Sequence, residues 1–111
     1  MPDKPVVWLG SSLEAVRAFA DAPRREAGYQ LYRVQRGFEP DDWKPMPTVG
    51  SGVVEIRIHV GGAFRVVYVA KYPEAVYVLH AFEKKGRKTR RSDLATARRR
   101  LRALLAQRRS A

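Results

Sequence analysis

A chain of 111 residues with 45% hydrophobic side chains and 10% aromatics carries enough apolar surface for one compact core. That excludes whole-chain disorder and points to a single domain over residues 1–111. Its 22 Lys and Arg against 11 Asp and Glu leave a formal charge of +11; the absence of Cys excludes disulfides, thiol nucleophiles and thiolate zinc sites, and two His are too few for a histidine-only metal centre.

Residues 6–9 form a short apolar run that predicts a first strand. Ser11 with Glu14 three places later has the pattern of a capping box, and Leu13, Val16, Phe19 and Ala20 recur at helical spacing. Pro23 is expected in the first turn of a second helix whose buried side is Ala27, Leu31 and Val34, so the two read as a helical hairpin closed by Gly37. Residues 38–52 hold three Pro and two Gly and are expected to be an irregular loop, pinned to the core by Trp43 and Met46.

From residue 53 the period changes to two. Val54, Ile56, Ile58 and Val60 alternate with Glu55, Arg57 and His59, the mark of a strand with one buried face. Gly61-Gly62 is read as a two-residue hairpin turn, residues 63–71 as the returning strand, and residues 75–83 as a third strand apolar enough to be central. Residues 84–91 are a basic connector, after which Ser92 is expected to cap a last helix with Leu94, Ala97, Leu101, Leu104 and Leu105 as its apolar stripe. The sum is an α+β domain in the order βααβββα, a small antiparallel-rich sheet with helices on one face and the other face open.

The charge is unevenly placed. Residues 1–83 hold ten Lys and Arg and ten Asp and Glu, whereas residues 84–111 hold twelve Lys and Arg and only Asp93. Such a block is the footprint of a polyanion binder, because each cation set near a phosphate releases condensed counterions. A membrane partner is not expected: the last helix has Leu and Ala but no aromatic anchor, and no apolar stretch approaches the roughly 20 residues that span a bilayer. The opening Met1-Pro2-Asp3-Lys4-Pro5 lacks the layout of a secretion signal, so a cytoplasmic location is expected.

On the predicted open face Arg57, His59 and, across the turn, Arg65 share one patch, and the planar fork of Arg suits phosphate. His80 and Phe82 lie on a common side of the next strand just before Lys84 and Lys85, an order suited to a base stacked on Phe82 with its phosphate held by lysines. Tyr68 is a candidate for the same surface. Such a set can cleave RNA without metal or cofactor, because the substrate's own 2′-hydroxyl is the nucleophile and cations stabilise the phosphorane.

The phrases AGYQLYRVQRGFEPDDWKPMP, EIRIHVGGAFRVVYVAK and AVYVLHAFEKKGRKT, followed by an Ala/Arg-rich helix, resemble the phage-derived, HigB-like branch of the RelE/ParE toxin superfamily. The resemblance covers about residues 6–105. It implies a RelE-like microbial ribonuclease fold and a type II toxin that acts as a ribosome-dependent mRNA endoribonuclease, docks with ribosome and mRNA, and is inhibited by a cognate helix-turn-helix antitoxin. The ParE branch, which poisons gyrase, and a non-catalytic RNA-binding module are the alternatives. Carried over by position, Arg57, Arg65, His80 and Lys84 become catalytic candidates. His59, Tyr68, Phe82, Lys85, Arg87, Lys88, Arg90 and Arg91 become RNA-binding candidates. One departure is Lys88-Thr89-Arg90 where the family often has Lys-Thr-Pro.

Overall fold

The computed structural model describes residues 3–110; Met1 and Pro2 of the opening segment and Ala111 lie outside the described residues. In chain order the elements are β1 (Val6–Trp8), α1 (Ser12–Arg17), α2 (Asp21–Gln35), β2 (Trp43–Pro45), β3 (Val53–Ile58), β4 (Phe64–Val69), β5 (Val76–Glu83) and α3 (Arg91–Ser110). The five strands form one sheet in the order β1-β5-β4-β3-β2, antiparallel except for β1, which pairs parallel to β5 at the edge. The chain is α+β, as its patterning predicts, with three departures.

The first is an extra strand. The loop expected over residues 38–52 contains β2, whose Trp43, Lys44 and Pro45 pair antiparallel with Ile56, Glu55 and Val54, so the order is βααββββα. Three exposed residues with a Pro among them carry no alternation that would announce a strand. Met46 pins the following segment to the core as expected, whereas Trp43 remains 36% exposed.

The second concerns layers. The helices do not share a face: α1, α2 and the turn between them place Val16, Phe19, Ala27, Leu31 and Val34 against Ile56, Ile58, Val66, Val76 and Val78, while α3 places Ala97, Leu101 and Leu104 against Val53, Val67, Val69, Leu79 and Phe82 on the opposite side. An apolar stripe shows that a helix must be covered, not which side of a sheet covers it. β5 is interior and buried on both faces along most of its length, as its composition requires, but it lies between the edge strand β1 and the central β4 and is not itself the central strand.

The third concerns turns and caps. The β3–β4 connection takes residues 59–63, between the paired Ile58 and Phe64, with Gly61 at φ +68° and Gly62 at φ +134°. Ser11 makes no side-chain cap to α1; its Oγ instead accepts from Arg100 Nη2 at 2.9 Å. Short α1 is anchored to the sheet through Ser12 Oγ, which donates to Val78 O. α3 begins at Arg91, so Ser92 lies inside its first turn rather than at its cap.

α3 is held over the second face by one clamp. The β4–β5 register shifts between Val67 and Tyr68, leaving Leu79 as the extra residue of a bulge. Arg100 Nη1 donates to Leu79 O at 2.9 Å, and the same guanidinium reaches Ser11. Gly10, at φ +54°, gives it room: a Cβ there would stand 2.5 Å from Arg100 Nε.

Candidate functional site

Directly opposed residues of an antiparallel pair point to the same face. The pairings Arg57↔Arg65 and Arg65↔Phe82 therefore set one row across the second face, and Lys44↔Glu55, Glu55↔Val67 and Val67↔His80 set the next. One further step toward the hairpin, Lys84 N–H donates to Ala63 O at 2.7 Å, and alternation places Lys84 with Phe82 and Arg65. α3 covers the other end of this face, so the patch is the part of it that the helix leaves open.

Within the patch Arg65 is 4% exposed and Glu55 2%. Arg65 Nε stands 3.5 Å from Glu55 Oε1, and Arg65 Nη1 donates to Phe64 O at 2.9 Å. Burial pushes the Arg65 guanidinium below its usual range; Glu55 opposes this and Arg57 adds to it. Arg57 is half-buried, and among the described residues its side chain has no carboxylate partner. Its backbone N–H donates to Asp42 O at 2.8 Å, which ties β3 to the segment before β2.

His80 is oriented by α3. Its Nε2 lies 2.8 Å from Asp93 Oδ1, and Asp93 Oδ2 accepts from Arg90 Nε at 3.1 Å. Burial lowers the His80 pKa, with Asp93 opposing and the Arg100 and Arg90 charges reinforcing the shift. The neutral ring thus keeps its proton on Nε2 toward Asp93 and leaves Nδ1 as the accepting nitrogen.

Four buried side-chain polar atoms have no hydrogen-bond partner among the described residues: Glu55 Oε2, Arg57 Nε, Arg65 Nε and His80 Nδ1. All four belong to this patch. Folded proteins pair nearly all such groups, and unpaired ones mark places where a ligand or water completes the network. Like charges directly opposite on neighbouring strands are also unfavourable, and Arg57 faces Arg65, with Glu55 and Asp42 the carboxylates that act on Arg65. An anion accepts from the two arginine Nε groups and offsets the repulsion between them, whereas Glu55 Oε2 and His80 Nδ1 are acceptors that call for a donor such as water or a ribose hydroxyl.

The nominated residues separate clearly. Arg57, Arg65, His80 and Lys84 come together on the patch. Lys85, Arg87, Lys88, Arg90 and Arg91 form an exposed basic rim over the connector from β5 to α3. His59 sits past the end of β3, exposed, with Nε2 2.7 Å from Asp42 Oδ2, so the carboxylate of the long loop engages His59 and not Arg57. Phe82 is buried in the α3 core and stacked under His80 at 5.3 Å, which leaves no ring face for a base. Tyr68 opposes Val54 in the α1/α2 core, on the far side of the sheet; burial, with Glu39 nearby, pushes its phenol up. The i, i+2 spacing makes Glu55 a candidate partner of Arg57, but the structure sets it beside Arg65 instead. The contacts of Asp93 with His80 and of Arg100 with Leu79 and Ser11 were not legible in the sequence, because both depend on the side of the sheet taken by α3.

Among the described residues no helix is long and apolar enough to cross a membrane. The model of a protein family described as phage derived protein Gp49-like (DUF891) matches residues 14–102, a span that includes every patch residue. No curated protein matches the chain.

Two outcomes follow. In urea unfolding, Arg65→Met leaves Glu55 buried and unopposed and should cost about 3–5 kcal/mol, a double Arg65→Met, Glu55→Met variant should recover most of that, and Arg57→Ala should stay within about 1 kcal/mol of the parent. Because the His80 pKa is lowered on folding, the unfolded chain binds the extra proton first as pH falls below about 6.5, so this residue's stabilisation is complete above that pH and declines below it. Comparing urea midpoints at neutral and mildly acidic pH, the parent should lose more stability than His80→Gln.

Proposed function

Because the chain belongs to the Gp49-like family of phage-derived proteins, a family related to the toxins of toxin–antitoxin systems, we propose that its 111 residues act as one HigB-like toxin domain that cuts mRNA on the ribosome. The observation that carries this reading is that, among the described residues, the buried side-chain polar atoms without a partner all gather on the Arg57, Arg65, Glu55 and His80 patch, beside an exposed basic rim.

The chemistry asked of the patch is modest. The RNA 2′-oxygen forms a bond to phosphorus as the bond to the 5′-oxygen breaks, giving a 2′,3′-cyclic phosphate and a free 5′-hydroxyl. One proton leaves the 2′-hydroxyl and one arrives on the leaving oxygen. Arg57, which has no carboxylate partner among the described residues, grips the non-bridging oxygens, and Arg65, fixed by Glu55 and the Phe64 carbonyl, supplies a second positive group that needs no reorganisation during reaction. His80 and Lys84 are the patch members that exchange protons, and Asp93 holds the His80 ring in one tautomer. The rim from Lys85 to Arg91 binds ribosomal and messenger RNA phosphates in the cytoplasm, and a cognate helix-turn-helix antitoxin restrains the toxin.

The test is induced expression followed by mapping of 5′ ends on cellular RNA. New 5′-hydroxyl ends should arise within translated mRNA and vanish when initiation is blocked, and Arg57→Ala should reduce them about 100-fold or more. A DNA-damage response with intact mRNA would assign the chain to gyrase poisoning. Unchanged cutting by folded Arg57→Ala would remove the patch as the site.

A further inference from the structure

At the opposite end of the second face, four register positions from Arg57, or roughly 14 Å along the strands, lies a groove of about 300 Å³ between α3 and the loops that flank β3 and β4. Its floor is Val49 and Leu101, and Lys71, Arg98, Arg102 and Ser51 stand around it. Among the described residues no carboxylate lines it. Arg98 and Arg102 are one helical turn apart, a spacing at which like charges repel, and Lys71 arrives from a different element to make a third positive charge.

Two of these cations are held in place. Arg98 Nε donates to Thr48 O at 2.8 Å, which fixes the guanidinium and leaves both Nη groups uncommitted to that bond. The Lys71 stem lies against Gly52, where a Cβ would fall 2.7 Å from Lys71 Cδ and where φ is +77°. A Cβ at Gly50 would collide with Leu101 Cδ2, so the two glycines let the Gly50-Ser51-Gly52 loop close on the groove without displacing Leu101 or Lys71. The nearby carboxylate Glu74 is already paired with Arg108. A solvated basic face would carry its charges on one mobile surface; here loop, strand end and helix converge with the cations braced.

We infer that this groove is a phosphate-binding site, separate from the Arg57 patch, in which Lys71, Arg98 and Arg102 hold one phosphate group and Ser51 adds a hydroxyl. The phosphate belongs either to a nucleic-acid strand running along α3 or to a free phosphate ester. The site does not depend on whether the chain cuts RNA.

The experiment uses the folded full chain, labelled with ¹⁵N and titrated with a ten-nucleotide deoxyribose strand, which 2′-hydroxyl chemistry cannot cut, and in parallel with inorganic phosphate. The amides of Gly50, Ser51 and Gly52 should shift. Arg102→Ala should weaken strand binding about tenfold and flatten the salt dependence by roughly 0.7 in log–log slope, the share of one phosphate contact. Arg99→Ala, which removes an equally exposed charge of α3 that does not line the groove, should change both far less. Saturation by inorganic phosphate below about 1 mM identifies a free ester as occupant, and saturation by the strand alone identifies nucleic-acid backbone. Unmoved loop amides in both titrations, or equal losses in Arg102→Ala and Arg99→Ala, would overturn the site. Absence of mRNA cutting in cells leaves these readouts untouched and bears only on the cleavage reading.

Discussion

The alignment of β3 with β4 constrains everything else. Val54, Ile56 and Ile58 must face α1 and α2 to bury their side chains, and since alternation has a period of two, Glu55 and Arg57 are then forced to the other side. The pairing that satisfies the apolar face sets Arg57 opposite Arg65. A slip of one residue would send the guanidiniums into the α1/α2 core and the apolar residues out, a far greater cost than the repulsion between two arginines. The patch is therefore a consequence of core packing, and its residual positive charge is held by the same energy that holds the fold.

What keeps the second face from being either wholly buried or wholly open is where α3 comes to rest. The bulge at Leu79 frees a carbonyl, Arg100 takes it together with Ser11, and this sets the helix along the face so that Asp93 meets His80 while Leu101 and Leu104 cover the far end. A shift of α3 by one turn would uncouple His80 from its carboxylate. The position of the helix thus links fold and chemistry: the same element covers the core, fixes the His80 tautomer and carries the arginines of the distal groove.

Much of this was legible in the sequence. The two-residue alternation through Ile56 and Ile58 located β3 and put Arg57 on the other side, the Gly pair marked the hairpin end, and the spacing of Ala97, Leu101 and Leu104 defined α3. Other parts were not legible, for physical reasons. β2 is three exposed residues whose only signal is its partner. Every residue of β4 is buried, so burial gives no alternation from which to judge Tyr68, and its face followed only from the register. Phe82 reads as a stacking platform until α3 is known to cover it. The carboxylates also took partners that spacing does not reveal: Glu55 with Arg65 across the sheet, Asp42 with His59, and Asp93 with His80.

The central claim is that the unpaired guanidinium nitrogens of Arg57 and Arg65 receive a phosphate of RNA. It is tested most directly by calorimetric titration of the folded chain with a 2′-O-methyl pentanucleotide that cannot be cut, comparing the parent with Arg57→Ala and with Arg25→Ala, an exposed charge on α2. The account predicts at least about a tenfold loss of affinity, or roughly 1.4 kcal/mol, for Arg57→Ala and little change for Arg25→Ala. Equal affinity in all three proteins would contradict it.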